Sequence, residues 1–489
     1  MSIDDVTGRL LDVAIVGAGP AGLNAATLCA KLGLATTVFD EQPHPGGQVF
    51  RNVTASPVQK REIFDDEYWQ GASLVRAFEA SGAGYVPGAS VWAATRPDAG
   101  RFDLGVSTGA PGARKAGLVS AKALIIATGT YERPFPIPGW TLPGVMGAGA
   151  AQLLLKGSAL VPAGRIVLAG SGPLLWLLGA QYLKAGIVPD ALLDTTPRGR
   201  YAEAAAHAWG FMRSDYFAKG LKLVREVRSQ LRIVEHVTSL AAEGASRVET
   251  VRYEVDSKVQ SLPVDLLLLH QGVVPNVNLP NAIGCKHRWN EAQRCFDPVV
   301  DGWGASTVPN VYIAGDAAGV AGWQAAEAGG GLAALGVATA LGCIDARERD
   351  ARATDLREAF DRAKRGRRFF ETLSCPPDAF RLPRGDTIAC RCEEVTAQQI
   401  DDAVRAGSAG PNQVKAFTRS GMGPCQGRFC GLTVSEMIAR ARGVTPAEVG
   451  AFRQRFPVRP ITLGELASLP ADDAAVAAVD HVGRAAGGR

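Results

Sequence analysis

One glycine motif constrains this chain more than any other feature. Gly17-Ala18-Gly19-Pro20-Ala21-Gly22 follows directly on an apolar run, LDVAIV at 11–16. A run of that length bounded by a turn reads as a buried strand. A helical pattern continues through Leu32, Gly33 stops it, and 35–39 read as a second strand ending in Asp40 and Glu41. The spacing predicts a strand–turn–helix–strand unit with G-x-G-x-x-G in the turn. Its glycines permit the tight turn, close backbone approach to a pyrophosphate and close helix packing, while the helix N-terminus faces the phosphate charge. Asp40 lies 18 residues beyond Gly22, where an acid accepts hydrogen bonds from an adenosine ribose. Gly17, Gly19, Pro20, Ala21, Gly22, Asp40 and Glu41 are therefore the expected dinucleotide contacts.

Three later segments favour FAD over NAD at this site. Gly46-Gly47-Gln48 lets the backbone pass close to the flavin side, with Gly47 and Gln48 as contacts. LIIATG at 124–129 is a strand running into a small-residue turn, so Ala127, Thr128 and Gly129 pass the bound dinucleotide. VYIAGD at 311–316 ends in Gly315 and Asp316, whose carboxylate can accept from the ribityl chain. In this order they resemble the flavoproteins of thioredoxin-reductase and glutathione-reductase type, which have two dinucleotide-binding domains. A second unit of the same design lies between them: a strand at 165–169, the turn Gly170-Ser171-Gly172-Pro173, a helix to Lys184 and a strand at 191–194. Its third glycine is replaced by Leu175, so the site is open to NAD(P), to another adenine nucleotide or to nothing. Arg198 and Arg200 read as solvated loop cations that could also meet a 2′-phosphate. No Cys-x-x-Cys occurs anywhere, which argues against thiol–disulfide reduction.

Nine cysteines without a secretory signal point to metal or redox chemistry. Cys29, Cys285, Cys295, Cys343 and Cys375 are scattered and read as small buried hydrophobes. Cys390, Cys392, Cys425 and Cys430 are grouped as C-x-C, 32 residues, then C-x4-C. Four thiolates so spaced can close a zinc site or hold a 2Fe–2S cluster. Neither pair has the C-x2-C spacing of zinc knuckles, and the pattern resembles bacterioferritin-associated-ferredoxin 2Fe–2S domains. Gly423, Gly427 and Gly431 are expected to bring backbone N–H groups to the sulfurs, and the helix after Cys430 to favour the cluster's charge. The six histidines are dispersed; His44 reads as a water-exposed loop residue, and Trp140 and Trp323 read as core residues flanking the flavin cavity.

The fold class expected is α/β: two dinucleotide-binding Rossmann-like domains of glutathione/thioredoxin-reductase type plus a small C-terminal 2Fe–2S domain. The boundaries expected are FAD-binding domain at 1–150 and 262–345, inserted nucleotide domain at 151–261, charged linker with solvated helix at 346–374, cluster domain at 375–455 and tail at 456–489, its Ala/Gly-rich end from 471 mobile. A net charge of +4 without clustered basic and aromatic residues excludes nucleic acid as the expected partner. The most apolar stretch, 166–180, is shorter than the ~18–20 residues that span a bilayer. A cytoplasmic chain, peripheral at the inner membrane through partners, is expected.

The segments 40–48, 138–146 (PGWTLPGVM) and 169–175 (AGSGPLL), with the four cysteines, resemble the larger subunit of heteromeric opine oxidases over about 10–465. D-hydroxyproline dehydrogenases and the middle subunit of hydrogen cyanide synthase share the pattern, and Leu175 fits it. The resemblance implies that the partner is an amino-acid-oxidase-like FAD subunit, joined by a third small subunit. It also implies electron relay through 2Fe–2S and FAD to a respiratory or quinone acceptor, and it allows FMN at a subunit interface as the second nucleotide. No residue stands out for acid–base work on substrate. A stand-alone NAD(P)H-dependent flavin/iron–sulfur reductase and an assembly scaffold with vestigial sites are the alternatives.

Overall fold

The computed structural model describes residues 1–110 and 112–469. The expectation for 471–489 lies outside the described residues. Leu10–Val16 is the hub of a seven-stranded sheet, in parallel register with Thr36–Asp40 on one side and Lys115–Ile126 on the other. Gly84–Pro87 extends one edge, Arg101–Thr108 and Ser90–Asp98 extend the other, and Val311–Ile313 pairs with the end of Lys115–Ile126. Val13, Ala14 and Ile15 are fully buried, as a parallel strand covered on both faces should be. The helices Pro20–Lys31 and Trp323–Ala340 pack together on one face. They approach so closely that a Cβ on Gly330 would overlap the carbonyl oxygen of Ala21.

The second sheet is parallel and five-stranded, ordered Ile233–Val234, Ala191–Asp194, Ile166–Ser171, Leu266–Gln271, Val145–Gly147. Two of its members move the boundaries expected at 151 and 261. Val145–Gly147 is three residues long and directly follows Pro143-Gly144, while the apolar run Leu266–Gln271 pairs with Ile166–Ser171 and not with the first sheet. An antiparallel meander, Ser239–Glu243, Thr250–Val255 and Lys258–Pro263, completes this unit. Thr130–Glu132 and Val273–Pro275 run antiparallel where the chain leaves the first domain and returns to it.

Two further expectations change. The charged stretch at 346–374, read as solvated helix and linker, is helical almost throughout: it forms the 19-residue helix Ala346–Lys364, capped by Asp345, and then Arg367–Leu373. Ala353 alone in the first of these is buried, so its composition reads as solvated even though it lies on Trp323–Ala340. The segment 456–469 is no tail. Val458 N–H donates to the Trp92 carbonyl at 2.8 Å, Ala116 N–H donates to Ser468 Oγ at 3.0 Å, and Thr462 and Glu465 form a capping box on Leu463–Ala467. The C-terminal domain consists of a short hairpin, Ile388–Cys390 with Val395–Thr396, and helices Ala397–Arg405, Pro411–Thr418 and Gly431–Arg442 around Ile400, Val414, Met437 and Ile438.

Gly330→Ala is expected to lower stability by about 1–3 kcal/mol through overpacking against a backbone oxygen that cannot move aside. A fall in melting temperature checks this, with Gly329→Ala, whose added Cβ has ordinary contacts, as the control.

Candidate functional site

The first glycine turn is held from two sides. Gly17 has φ +105°, and a side chain there would strike the Ala127 carbonyl, so the turn lies directly on the end of Lys115–Ile126. The turn at Gly46-Gly47 closes over it, with a Cβ on Gly47 reaching within 2.8 Å of Gly19 Cα. Ala18 N–H donates to Asp40 Oδ2 at 2.6 Å and Gln42 N–H to Asp40 Oδ1 at 2.7 Å. Asp40, expected on the ribose, thus uses both oxygens to tie the turn to the second strand, and burial raises its pKa. Glu41 is the more exposed carboxylate, paired with Arg459 at 2.9 Å.

The remaining expected contacts gather at the same strand ends. Gln48 Nε2 donates to the Thr130 carbonyl at 2.9 Å, and Thr128 Oγ1 donates to the Asn276 carbonyl at 3.3 Å, placing 127–130 beside the Gly47 turn. Asp316 is half-buried, and its partial burial raises its pKa. Ala321 and Gly322 N–H both donate to its Oδ1, leaving Oδ2 for a ligand. Arg51 Nε and Trp323 Nε1 are buried without a hydrogen-bond partner among the described residues. Orphan donors beside a cradle that side chains would fill suit a bound polar molecule. Trp323 packs edge-on against Phe50 at 5.1 Å, whereas Trp140 lies elsewhere, its Nε1 donating to the Ile388 carbonyl at 2.7 Å. His44 is exposed.

Lys156 was not singled out by its sequence context. It is buried, donates to the Val49 carbonyl at 3.0 Å and to Gln152 Oε1 at 3.1 Å, and burial pulls its pKa down to about 8. A lone lysine on the buried face of the apolar helix Ala148–Ser158 was its signal.

At the second turn, Gly170 crosses the His270 carbonyl so closely that a Cβ would overlap it. Gly172 caps Pro173–Lys184, and Leu175 turns wholly into the core. Ser171 Oγ is buried there without a partner among the described residues. His270 Nδ1 lies 2.6 Å from Glu132 Oε1, and Ser374 closes on Gly172 from outside, 3.8 Å from the position of an added Cβ. Arg198 pairs with Asp256 and Arg200 with Glu203, both at the surface. Asp194, buried at the end of Ala191–Asp194 with its pKa raised, occupies the position that Asp40 holds in the first unit. The same strand-end rule would have found it.

The four grouped cysteines form two pairs. Cys390 and Cys430 are buried, Cys425 is half-buried and Cys392 is exposed. The Cys430 thiol beside it, with N–H groups of Gly421, Glu393 and Cys392, brings the Cys390 thiol down to about 6; pairing with Cys390 and burial push Cys430 up. Burial raises Cys392, whose thiol neighbour is Cys425. Gly427 and Gly431, expected to serve the sulfurs, instead make room for the Phe452 ring; Gly423 lies against Cys392. Among the described residues no group of three or more His, Cys, Asp or Glu side chains is gathered to hold one metal ion. Of the scattered cysteines, Cys343 is exposed and the other four are buried.

Residues 11–330 match the pyridine nucleotide-disulphide oxidoreductase family, and 387–469 match the sarcosine oxidase A3 domain. Fold and first site thus define an oxidoreductase of pyridine nucleotide-disulphide type, a fold that implies FAD binding. The A subunit of opine oxidase from Rhizobium meliloti is 43% identical over 96% of this chain and 89% of its own length. Hydrogen cyanide synthase subunit HcnB of Pseudomonas aeruginosa is 30% identical over 93% of this chain and 98% of its own. The chain belongs to the family of these opine oxidase subunits. The L-proline dehydrogenase structure from P. horikoshii shares the fold, with TM-score 0.69 and 21% identity over 94% of this chain and 79% of that one.

Asp40→Ala leaves two backbone donors unpaired and is expected to cost about 1–3 kcal/mol and to release flavin on gel filtration. Glu41→Gln should leave the melting temperature unchanged. Flavin absorbance per protein and thermal melts check both.

Proposed function

We propose that this chain is the electron-relaying member of a heteromeric FAD-dependent dehydrogenase that oxidises the C–N bond of an amino acid or opine. The substrate is oxidised on an amino-acid-oxidase-like FAD subunit, with a third small subunit in the complex. Electrons leave through this chain to a respiratory or quinone acceptor. Its relatives named as opine oxidase subunits support the substrate class.

One observation carries the relay reading. Thr130–Glu132 begins beside the Gly47-Gln48 turn, and its Tyr131 lines a cavity of about 40 Å³ together with Cys295, Gly427 and Gly431. The flavin cradle and the cysteine loop are therefore joined by one short strand. The paired thiols and the N–H groups aimed at Cys390 suit a 2Fe–2S cluster held by Cys390, Cys392, Cys425 and Cys430. A flavin takes up electrons singly or in pairs and a 2Fe–2S cluster singly, so together they convert a two-electron oxidation into single transfers. Gly170 and Gly172 would hold NAD(P) or another adenine nucleotide; FMN at a subunit interface is the other candidate.

Visible and EPR spectra of the purified chain test this. Expected are flavin bands and a 2Fe–2S signal after chemical reduction, the signal lost in Cys430→Ser, and no flavin bleaching by NADH or NADPH. A zinc-containing protein without colour would overturn the relay, and bleaching by NAD(P)H alone would favour a self-sufficient reductase.

A further inference from the structure

The segment 208–222 and the adjoining turn at 361–368 together carry eight Lys or Arg against two Asp, a larger surplus than the net +4 of the whole chain. They form one body. Phe211 lies flat on Phe369, with ring centroids 4.2 Å apart, and edge-on to Phe370 and Phe217, while Gly366 nests against Ser214 and Phe211. On this rigid base Trp209 is 65% and Met212 49% exposed, far beyond what a core residue would be. Phe217 and Leu221, four apart on the helix Tyr216–Arg228, are also exposed. The Arg213 guanidinium sits 4.2 Å from the Trp209 ring centroid.

The apolar side chains here are interleaved with cations, three of which are Lys219, Lys222 and Lys364, a residue type depleted at subunit interfaces. They match an interfacial surface, where Trp and Met enter the headgroup boundary and Lys and Arg meet anionic lipid. Among the described residues no helix is long and apolar enough to cross a membrane, so attachment would be peripheral. The placement also has a use. Tyr216 Oη and Arg367 Nη1 lie 3.4 and 3.5 Å from where a Cβ on Gly322 would stand, and Gly322 is the cap before Trp323 at the flavin cradle.

We propose that the Trp209–Met212 tip and the basic turn around Arg365 and Arg368 dock this chain directly on an anionic membrane surface, bringing its flavin edge to the bilayer that holds the acceptor. The proposal rests on the relay reading for its purpose but not for its test, because vesicle binding needs no electron flow.

The full-length chain is sedimented with phosphatidylglycerol vesicles and with phosphatidylcholine vesicles. Binding to the anionic vesicles alone is expected, weakening as salt is raised. Arg365→Glu/Arg368→Glu and Trp209→Ser/Met212→Ser should each weaken it by about ten-fold or more, with unchanged melting temperature because all four side chains are exposed. Equal binding to both vesicle types, no binding, or wild-type binding by both variants would overturn it. So would variants that keep vesicle binding yet no longer co-elute with a co-expressed partner subunit, which would make this face a contact between subunits.

Discussion

The carboxylate of Asp40 is the tie on which the rest of the first domain depends. By accepting from Ala18 and Gln42 N–H together it fixes the glycine turn against the end of the second strand. Gly17 N–H donates to the Phe39 carbonyl at 2.8 Å, so what the turn presents is the N-terminus of Pro20–Lys31 with the N–H groups that a helix start leaves without intrahelical partners. The helix so placed is the one against which Trp323–Ala340 closes, and that closure carries Gly315 and Asp316 to the same edge. A half-buried carboxylate held by backbone donors is thus the hinge pin of a site assembled from Asp40 and Asp316, 276 residues apart.

Much of this was legible because glycine motifs report backbone geometry directly. Gly17, Gly22, Gly170 and Gly172 fall where their spacing puts them, and so do the strands that precede them. What was not legible has a common physical cause: elements whose burial comes from distant partners. Val145–Gly147 has too few residues to show a period, and the helix Ala346–Lys364 shows its solvated face in composition while its packing face is small. Gly427 and Gly431 sit beside the cysteines in sequence, yet the group they admit is Phe452, more than twenty residues later. Trp140 and Trp323 read alike as core aromatics, but Trp323 packs on Phe50 beside the Gly46-Gly47 turn and Trp140 makes the contact with the cysteine domain.

The two sites differ in how they are built. The dinucleotide cradle is made of backbone, so its features are turns, N–H groups and missing side chains. The cysteine site is made of side chains on a hairpin, a loop and a helix cap, graded from the buried Cys390 and Cys430 to the exposed Cys392. Such a gradient gives the site an inner face toward Tyr131 and an outer face toward solvent.

The C-terminal domain is sewn down on several sides. Trp140 Nε1 reaches the Ile388 carbonyl, Asn278 Nδ2 reaches the Gln426 carbonyl, Asn281 Oδ1 accepts from Gln454 N–H, and Arg428 reaches the Val458 carbonyl just where 458 is bonded to Trp92. Carriers that shuttle a redox group between stations need a domain free to swing on a tether. Here the chain, having left the first domain, returns to it and closes a loop around the cysteines. Under the relay proposed above, electrons would cross a fixed gap between the two sites, with a rate set by packing and not by diffusion of a domain.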